Sequence, residues 1–390
     1  MGLFWPVSAM FATQSVSVIV FLTVPVMATE IAPAFGVEAK DIGVFMSIVF
    51  AFAMIMSAAS GSLIRRFGAI RANQIGMSFS AICLLLVLTG SLPLLFIAAA
   101  LVGIGYGPNT PSGAHALARV TPPRARAFVF SLKQSGAPLG GLIAGLLVPA
   151  MVVAVGWQGA ICVSVAIALS AVIAIQPLRA RLDDDRDPTA PLAFASPWHA
   201  LRQLLRQIPL RRLTLVAFFL ASIQAILMTF LMIILVQEVG LQFQLAGAVF
   251  ATSQAAGVVL RIIMGWIADR ALGAKPTLVA LGIGSSLAFV MLTQLGPESP
   301  VALAVGLSIA VGALSFGWNG VFLAEVVRLA GPDDVGTATG GSLFFIYAGV
   351  VLGPIVMSGL ITLSGGFTLP IVAIASLTTL ASLNLLRSDT

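Results

Sequence analysis

Long apolar runs recur through almost the whole 390-residue chain, and they limit its fold more than any other feature. Most of the runs reach the ~20 residues that a helix needs to cross the hydrocarbon core of a bilayer. Apolar residues make up 59% of the chain and charged residues only 9%, whereas a soluble domain carries about a quarter charged residues. The runs are too long, and too continuous, for the alternating strands of an outer-membrane barrel. The sequence therefore predicts an all-α membrane protein.

Twelve transmembrane helices are expected from these runs. In chain order they lie at about 7–29, 42–63, 72–90, 94–117, 126–154, 157–177, 211–237, 243–268, 276–296, 299–328, 334–363 and 366–386.

The basic residues predict the orientation of these spans. Of the 20 Lys and Arg residues, 17 lie in one set of loops and ends, and only Lys40 lies on the other side. By the positive-inside rule the basic loops face the cytoplasm, so both termini are expected inside a bacterial-type inner (plasma) membrane. The net charge of +6 thus reflects orientation in a lipid bilayer, and nucleic acid is not an expected partner.

One long polar stretch divides the chain near its middle. It predicts an N-terminal six-helix bundle over 1–178, a cytoplasmic linker with an interfacial helix over 179–210, and a C-terminal six-helix bundle over 211–390. For residues 183–195 a solvated linker is an equally good interpretation, and the sequence leaves both open.

The two halves repeat each other. A shift of 204 lays Gly61 on Gly265 and Arg66 on Arg270, and a shift of 210 lays Asn109 on Asn319. Two six-span halves in parallel are typical of secondary transporters that hold their substrate between the halves near the membrane midplane.

A loop motif gives the repeat a family resemblance. GWIADRALGAK at 265–275 resembles the G-x-x-x-D-R-x-x-G-x-K loop signature of the major facilitator superfamily, and GSLIRRFGAIR at 61–71 is its first-half copy. The resemblance implies that superfamily's fold of two pseudo-symmetric bundles, and a transporter rather than an enzyme. The first-half copy departs from the pattern because Arg65 stands where the family usually has Asp.

The resemblance also implies an inner gate. In the family the Asp of this loop latches the cytoplasmic ends of the helices, by accepting backbone N–H groups and pairing with Arg. The residues expected to act there are Asp269, Arg270, Glu325, Arg66 and Arg328. Arg65 cannot take the acid's part, so the first-half latch is expected to be weak or to use another acid. Inside-facing charges that only orient the protein are the alternative.

Two cations inside spans mark the expected substrate site. Arg261 lies eight residues before Asp269, ~12 Å along the helix, and Lys133 lies about seven residues into the fifth span. All 14 acidic residues fall at span ends or in loops, so neither cation has an obvious acidic partner at its depth. Because the superfamily packs the fifth and eighth spans together, the resemblance implies one shared cavity. An Arg bonded to helix-end carbonyls and a Lys reaching for the interface are the plainer alternatives.

Polar and aromatic residues at matching heights complete the candidate site. The further substrate-binding candidates are Asn109, Asn319, Gln254, Gln14, Gln224, Tyr106 and Trp318. Each amide alone is as easily explained as a hydrogen-bonding contact between helices. His115 and Glu325 coincide under the 210 shift and are candidates for carrying a coupled proton. A pair of Glu325 with Arg270 or Arg328 is the competing interpretation.

These features predict a secondary transporter of small organic anions that works by rocker-switch alternating access. Carboxylates are the expected anions, because they match the binding geometry of buried Arg and Lys. The pattern is similar to that of oxalate–formate and monocarboxylate porters, with a proton or a counter-anion as coupling partner. The alternative is a proton-coupled exporter of drugs or other hydrophobic compounds. No nucleotide-binding loop, cofactor motif or metal-ligand cluster occurs in the sequence, and a monomer is expected.

Overall fold

The computed structural model describes residues 3–37, 44–191, 197–241, 243–331 and 334–386, so Lys40 lies outside the described residues. The α-helices are α1 (Phe4–Val26), α2 (Ala28–Phe35), α3 (Val44–Phe67), α4 (Ala69–Leu84), α5 (Leu92–Tyr106), α6 (Asn109–Val120), α7 (Arg126–Gln134), α8 (Gly136–Ala174), α9 (Arg179–Leu182), α10 (Pro197–Arg206), α11 (Ile208–Ile233), α12 (Phe243–Ile267), α13 (Ala274–Met291), α14 (Val301–Phe316), α15 (Asn319–Ala330), α16 (Val335–Ser364) and α17 (Thr368–Leu385).

The helices confirm the predicted fold class. Within the described residues, 11 helical segments are long and apolar enough to cross a membrane, and one of them, Pro123–Leu182, has 60 residues. That segment is broken at Gly156, whose φ of 72° and ψ of 170° interrupt α8, so it contains two crossings. Glycine takes this conformation without the steric cost that a Cβ would bring. The total agrees with the twelve predicted spans.

Two spans are interrupted near their middles. The fourth span ends α5 at Tyr106 and resumes as α6 at Asn109, because Pro108 lacks the N–H that a continuous helix needs. The tenth span stops at Phe316 and resumes at Asn319. Both interruptions are places where the repeat puts a glycine and an asparagine.

The chain forms two compact units that do not follow the sequence halves throughout. Unit 1 contains residues 1–121, 133–204 and 330–344, and unit 2 contains 122–132, 205–329 and 345–390. The beginning of the fifth span therefore belongs to unit 2, and the beginning of the eleventh span belongs to unit 1.

Packing within each unit leaves one face of the helices apolar and exposed. In unit 1, α1 packs along α8 and α3 along α5; in unit 2, α12 packs along α14 and α13 along α17. Side chains such as Leu146, Val153 and Leu363 point outward from these helices. With a mean hydropathy of +1.08, such surfaces suit contact with lipid tails, where helix backbones satisfy their own hydrogen bonds.

Candidate functional site

The predicted substrate-binding residues fall into two sets, one in each unit. Unit 1 holds Gln14, Tyr106, Asn109 and Lys133, and unit 2 holds Gln224, Gln254, Arg261, Trp318 and Asn319.

Lys133 is the centre of the unit 1 set. It lies in the last turn of α7, and only 1% of its surface is exposed. Its Nζ donates to Gln14 Oε1 at 2.5 Å and to Gln134 Oε1 at 3.0 Å. Both acceptors are neutral amides, and no carboxylate of the described residues lies within 4.0 Å of this ammonium. A buried charge held only by neutral dipoles is costly, and an anion would offset that cost.

The surroundings of Lys133 leave room for its side chain. A Cβ at Gly113 would lie 2.9 Å from Lys133 Cε and 3.3 Å from Nζ, so only glycine leaves the lysine its present position. The Nε2 group of Gln14 donates to the Tyr106 hydroxyl at 3.4 Å. Tyr106 in turn packs edge-to-face against Phe21, with ring centroids 4.9 Å apart. The lysine, the glutamine and the tyrosine are therefore one connected polar group.

Asn109 begins α6 directly after the interruption of the fourth span. Its Nδ2 donates to Ser17 Oγ at 2.8 Å and to the Thr13 carbonyl at 3.5 Å, which ties the interruption to α1. Its buried Oδ1 accepts no hydrogen bond from the described residues.

Arg261 is the centre of the unit 2 set. It is 4% exposed, and its Nε donates at 2.9 Å to the carbonyl of Phe316, the last residue of α14. One turn earlier, a Cβ at Gly257 would lie 2.7 Å from Phe316 Cβ, so α12 and α14 are in close contact there. The guanidinium is thus anchored at the interruption of the tenth span.

Trp318 and Asn319 lie at the same interruption. Trp318 is 1% exposed and packs edge-to-face on Phe322, with ring centroids 5.7 Å apart. Trp318 Nε1 and Asn319 Nδ2 are buried donors without an acceptor among the described residues. Gln224 Oε1 likewise accepts no hydrogen bond in the described part of the chain, and Gln254 is half-buried on α12.

Asp269 caps the beginning of α7 within unit 2. Its Oδ1 accepts the Ala127 N–H at 3.1 Å and its Oδ2 accepts the Phe128 N–H at 2.8 Å. A carboxylate at these first-turn donors is favoured by the helix dipole. Arg270 follows as an exposed side chain whose charge acts on the Asp269 carboxylate.

The first-half copy of the motif has the opposite polarity. The Arg65 Nη2 atom lies 4.0 Å from Oδ1 of Asp334 in unit 1, and Asp334 directly precedes α16. Here the loop supplies the cation and the helix start supplies the acid. Their side chains are 59% and 44% exposed, so this pair contributes about 0–1 kcal/mol.

The other gating candidates have separate partners. Glu325 is buried and accepts from Arg328 Nε at 2.7 Å and from its NH2 group at 2.5 Å, which is a two-point ion pair. Arg66 NH1 donates to the Ala190 carbonyl at 3.2 Å. Glu325 is therefore paired along its own helix, and Arg66 is bonded to the segment that follows the sixth span.

That following segment, residues 183–190, is named here the acidic strap. Asp185 Oδ2 lies 2.7 Å from His115 Nε2, and Asp185 Oδ1 lies 3.0 Å from Arg119 NH1. Arg119 also pairs with Asp184. Burial alone would raise the pKa of Asp185, but the hydrogen bond and charge of His115 and the charge of Arg119 outweigh it and lower that pKa.

Asp183 joins the strap to the beginning of α4. It is 3% exposed, and its two oxygens accept the N–H groups of Ile70 at 2.7 Å and Arg71 at 3.0 Å. Burial raises the pKa of Asp183 above its ordinary value, although both hydrogen bonds and the charge of Arg179 oppose the shift. Asp183 thus fixes one end of the strap to α4, while residues 184–189 are exposed.

The comparisons with known proteins identify the family. Residues 9–354 match the Major Facilitator Superfamily, so the chain belongs to that family. No curated protein sequence matches the chain significantly. The chain is a multi-pass membrane transporter rather than an enzyme.

Solved structures share the fold at low identity. The Escherichia coli fucose:proton symporter is 14% identical over 100% of both chains, with a TM-score of 0.79. A bacterial homologue of the iron transporter ferroportin is 16% identical over 97% of both chains, with a TM-score of 0.76. The human organic anion transporter TETRAN is 17% identical over 97% of this chain and 98% of that one, with a TM-score of 0.73. Such likeness establishes the fold alone.

Proposed function

We propose that this transporter carries small organic anions, carboxylates above all, by rocker-switch alternating access. The observation that supports the proposal most strongly is the burial of Lys133 with two neutral amide oxygens as its partners. A bound carboxylate stabilises a buried cation more than it stabilises a solvent-exposed cation, because the dielectric around the buried cation is low.

Arg261 supplies the second basic group of the proposal. One edge of its guanidinium is fixed by the Phe316 carbonyl. A guanidinium can bind a carboxylate through two parallel N–H groups, while an ammonium acts as a point charge. Further polar contacts to the substrate come from Gln14, Tyr106, Asn109, Gln224 and Gln254.

The gate of the proposal consists of contacts at the beginnings of two helices. Asp269 holds α7 in unit 2, and Arg65 with Asp334 holds α16 in unit 1. Close backbone contacts accompany both: a Cβ at Gly265 would lie 2.4 Å from Ser131 Oγ, and a Cβ at Gly61 would lie 2.3 Å from Thr337 Oγ1. Opening to the cytoplasm would separate these helix starts from their partners.

In this proposal, transport is coupled to a proton or to a counter-anion. The loops rich in Arg face the cytoplasm, and the transporter works as a monomer. The rival function is proton-coupled export of hydrophobic compounds. The buried acid Glu325 is the residue such an exporter would use, but its two-point pair with Arg328 favours a structural part for it.

The test is thermal unfolding of the purified protein with a panel of mono- and dicarboxylates, beside a panel of lipophilic cations. Carboxylates should raise the Tm of the wild type, and the increase should vanish in Lys133→Ala and Arg261→Ala. Arg124→Ala, which changes a basic residue outside the proposed site and outside the loop motif, is the control and should keep the increase. Stabilisation by lipophilic cations alone would replace this proposal with the exporter.

A further inference from the structure

We infer that the interruption between α14 and α15 is an oxyanion seat, which binds a carboxylate group through the beginning of α15, Trp318, Asn319 and Arg261. The inference rests on the proposed function and specifies the chemistry of its unit 2 part. It assigns the tryptophan a hydrogen bond to the anion, beyond lining a cavity.

The first component is the helix start itself. The helix α15 has 12 residues, and its first intrahelical bond runs from the Phe322 N–H to the Trp318 carbonyl at 2.9 Å. Backbone N–H groups ahead of that bond have no acceptor inside the helix, and the helix dipole makes this end positive. Helix starts inside a membrane are used by transporters to bind anionic groups.

The second component is a pair of unpaired donors. Trp318 is 1% exposed, yet its Nε1–H finds no acceptor among the described residues, and the same holds for Asn319 Nδ2. Buried donors are nearly always bonded, since leaving one without an acceptor forfeits its hydration. Each of these two donors therefore lacks an oxygen acceptor, because the described residues do not supply one.

The third component is the charge. Arg261 reaches the same interruption, since its Nε bonds the carbonyl of Phe316, two residues before Trp318. The groups identified at the interruption are thus an N–H donor of indole, an N–H donor of amide, a guanidinium and a helix start. All of them suit a negatively charged oxygen, and a hydrophobic or cationic compound would satisfy none of them.

The corresponding interruption in unit 1 is different. There Asn109 uses its Nδ2 on Ser17 and Thr13, and its unpaired atom is the acceptor Oδ1. At the interruption in unit 2 the unpaired atoms of the tryptophan and the asparagine are donors instead, and the repeat alone does not explain this difference.

The test compares Trp318→Phe with Trp266→Phe, the same substitution at an exposed tryptophan of the same unit. Binding of oxalate, acetate and sulfate to the purified full-length protein is measured by thermal shift and by calorimetry. Trp318→Phe should weaken carboxylate binding about tenfold, because one hydrogen bond to a charged group is lost. Its Tm without anion should stay equal or rise, since the substitution removes an unpaired donor. Asn319→Ala is the second variant and should weaken binding similarly.

Each outcome decides the inference. The seat would be overturned if Trp318→Phe and Asn319→Ala bound carboxylate like the wild type while Lys133→Ala did not bind it. The proposed function would then still stand. If none of the three anions binds the wild type, the proposed function falls and the seat with it. A loss of binding in Trp266→Phe equal to that in Trp318→Phe would also refute the seat.

Discussion

At the scale of single residues, the position of the Lys133 ammonium group depends on the absence of a Cβ at Gly113. Gly113→Ala would place a Cβ 2.9 Å from Lys133 Cε, and the flexible end of the lysine would have to move. We predict a fall in carboxylate affinity of about 5–10-fold. The free energy of unfolding should change little. Alanine is favoured over glycine within a helix by about 0.5–1 kcal/mol, and this gain opposes the cost of moving the lysine.

Gly145→Ala, in the same unit, is the control for that substitution, because no atom of the described residues lies within 4 Å of its Cβ position. It should keep full affinity in the same calorimetric titration. Equal affinity of Gly113→Ala and the wild type would show that the place of the ammonium does not matter for binding.

The sequence indicated the burial of Lys133 but not its partner Gln134. An arginine or lysine amid apolar residues is visible from spacing alone. Adjacent residues of a regular helix, however, do not face each other. The contact lies at the end of α7, at Gln134, one residue before Ser135 and the beginning of α8.

At the scale of helices and loops, the acidic strap shows how much the sequence left undecided. Its composition suggested a solvated linker as readily as an ordered one. Asp183 caps α4 by bonding Ile70, which is 113 positions away in the chain. His115 contacts Asp185, which is 70 positions away. Pairings of that length depend on how the bundle brings the helix ends together, and no local pattern encodes them.

A pH dependence follows from the lowered pKa of Asp185. Because its pKa is lower in the folded protein than its unfolded value of ~3.9, its ionised form stabilises the fold above that value and the contribution is lost as pH falls. Asp185→Asn should therefore lower the Tm by an amount on the order of 2 °C at pH 7, and the difference should shrink below about pH 4.

The measurement is thermal unfolding of wild type and variant in parallel from pH 7 downward. Glu298→Gln, which neutralises an exposed acid outside the strap, is the control and should not reproduce the difference. A difference for Asp185→Asn that grows with falling pH would contradict this account of the strap.

At the scale of the whole molecule, the apolar runs were enough for the fold. They predicted twelve crossings, and the loop motif predicted the superfamily that the match over 9–354 establishes. The interruptions at Gly107–Pro108 and Gly317–Trp318 were not predicted as helix ends, since each lies inside one of the predicted spans.

The repeat relates the two halves, but the charged residues depart from it. The 204 shift lays Ser57 on Arg261, and the 210 shift lays Lys133 on Leu343. The charge of the loop motif is likewise reversed, with an acid at Asp269 and a base at Arg65. The proposed anionic substrate would offset the desolvation of these two buried cations, which costs several kcal/mol each unless it is compensated.

The most direct measurement is uptake of radiolabelled oxalate and of a monocarboxylate into proteoliposomes containing wild type or Lys133→Gln. Glutamine removes the charge and keeps an N–H donor, on a shorter side chain. The account predicts saturable carboxylate uptake by the wild type and a loss of at least about tenfold in Lys133→Gln. Carboxylate uptake that is equal in both proteins would contradict it.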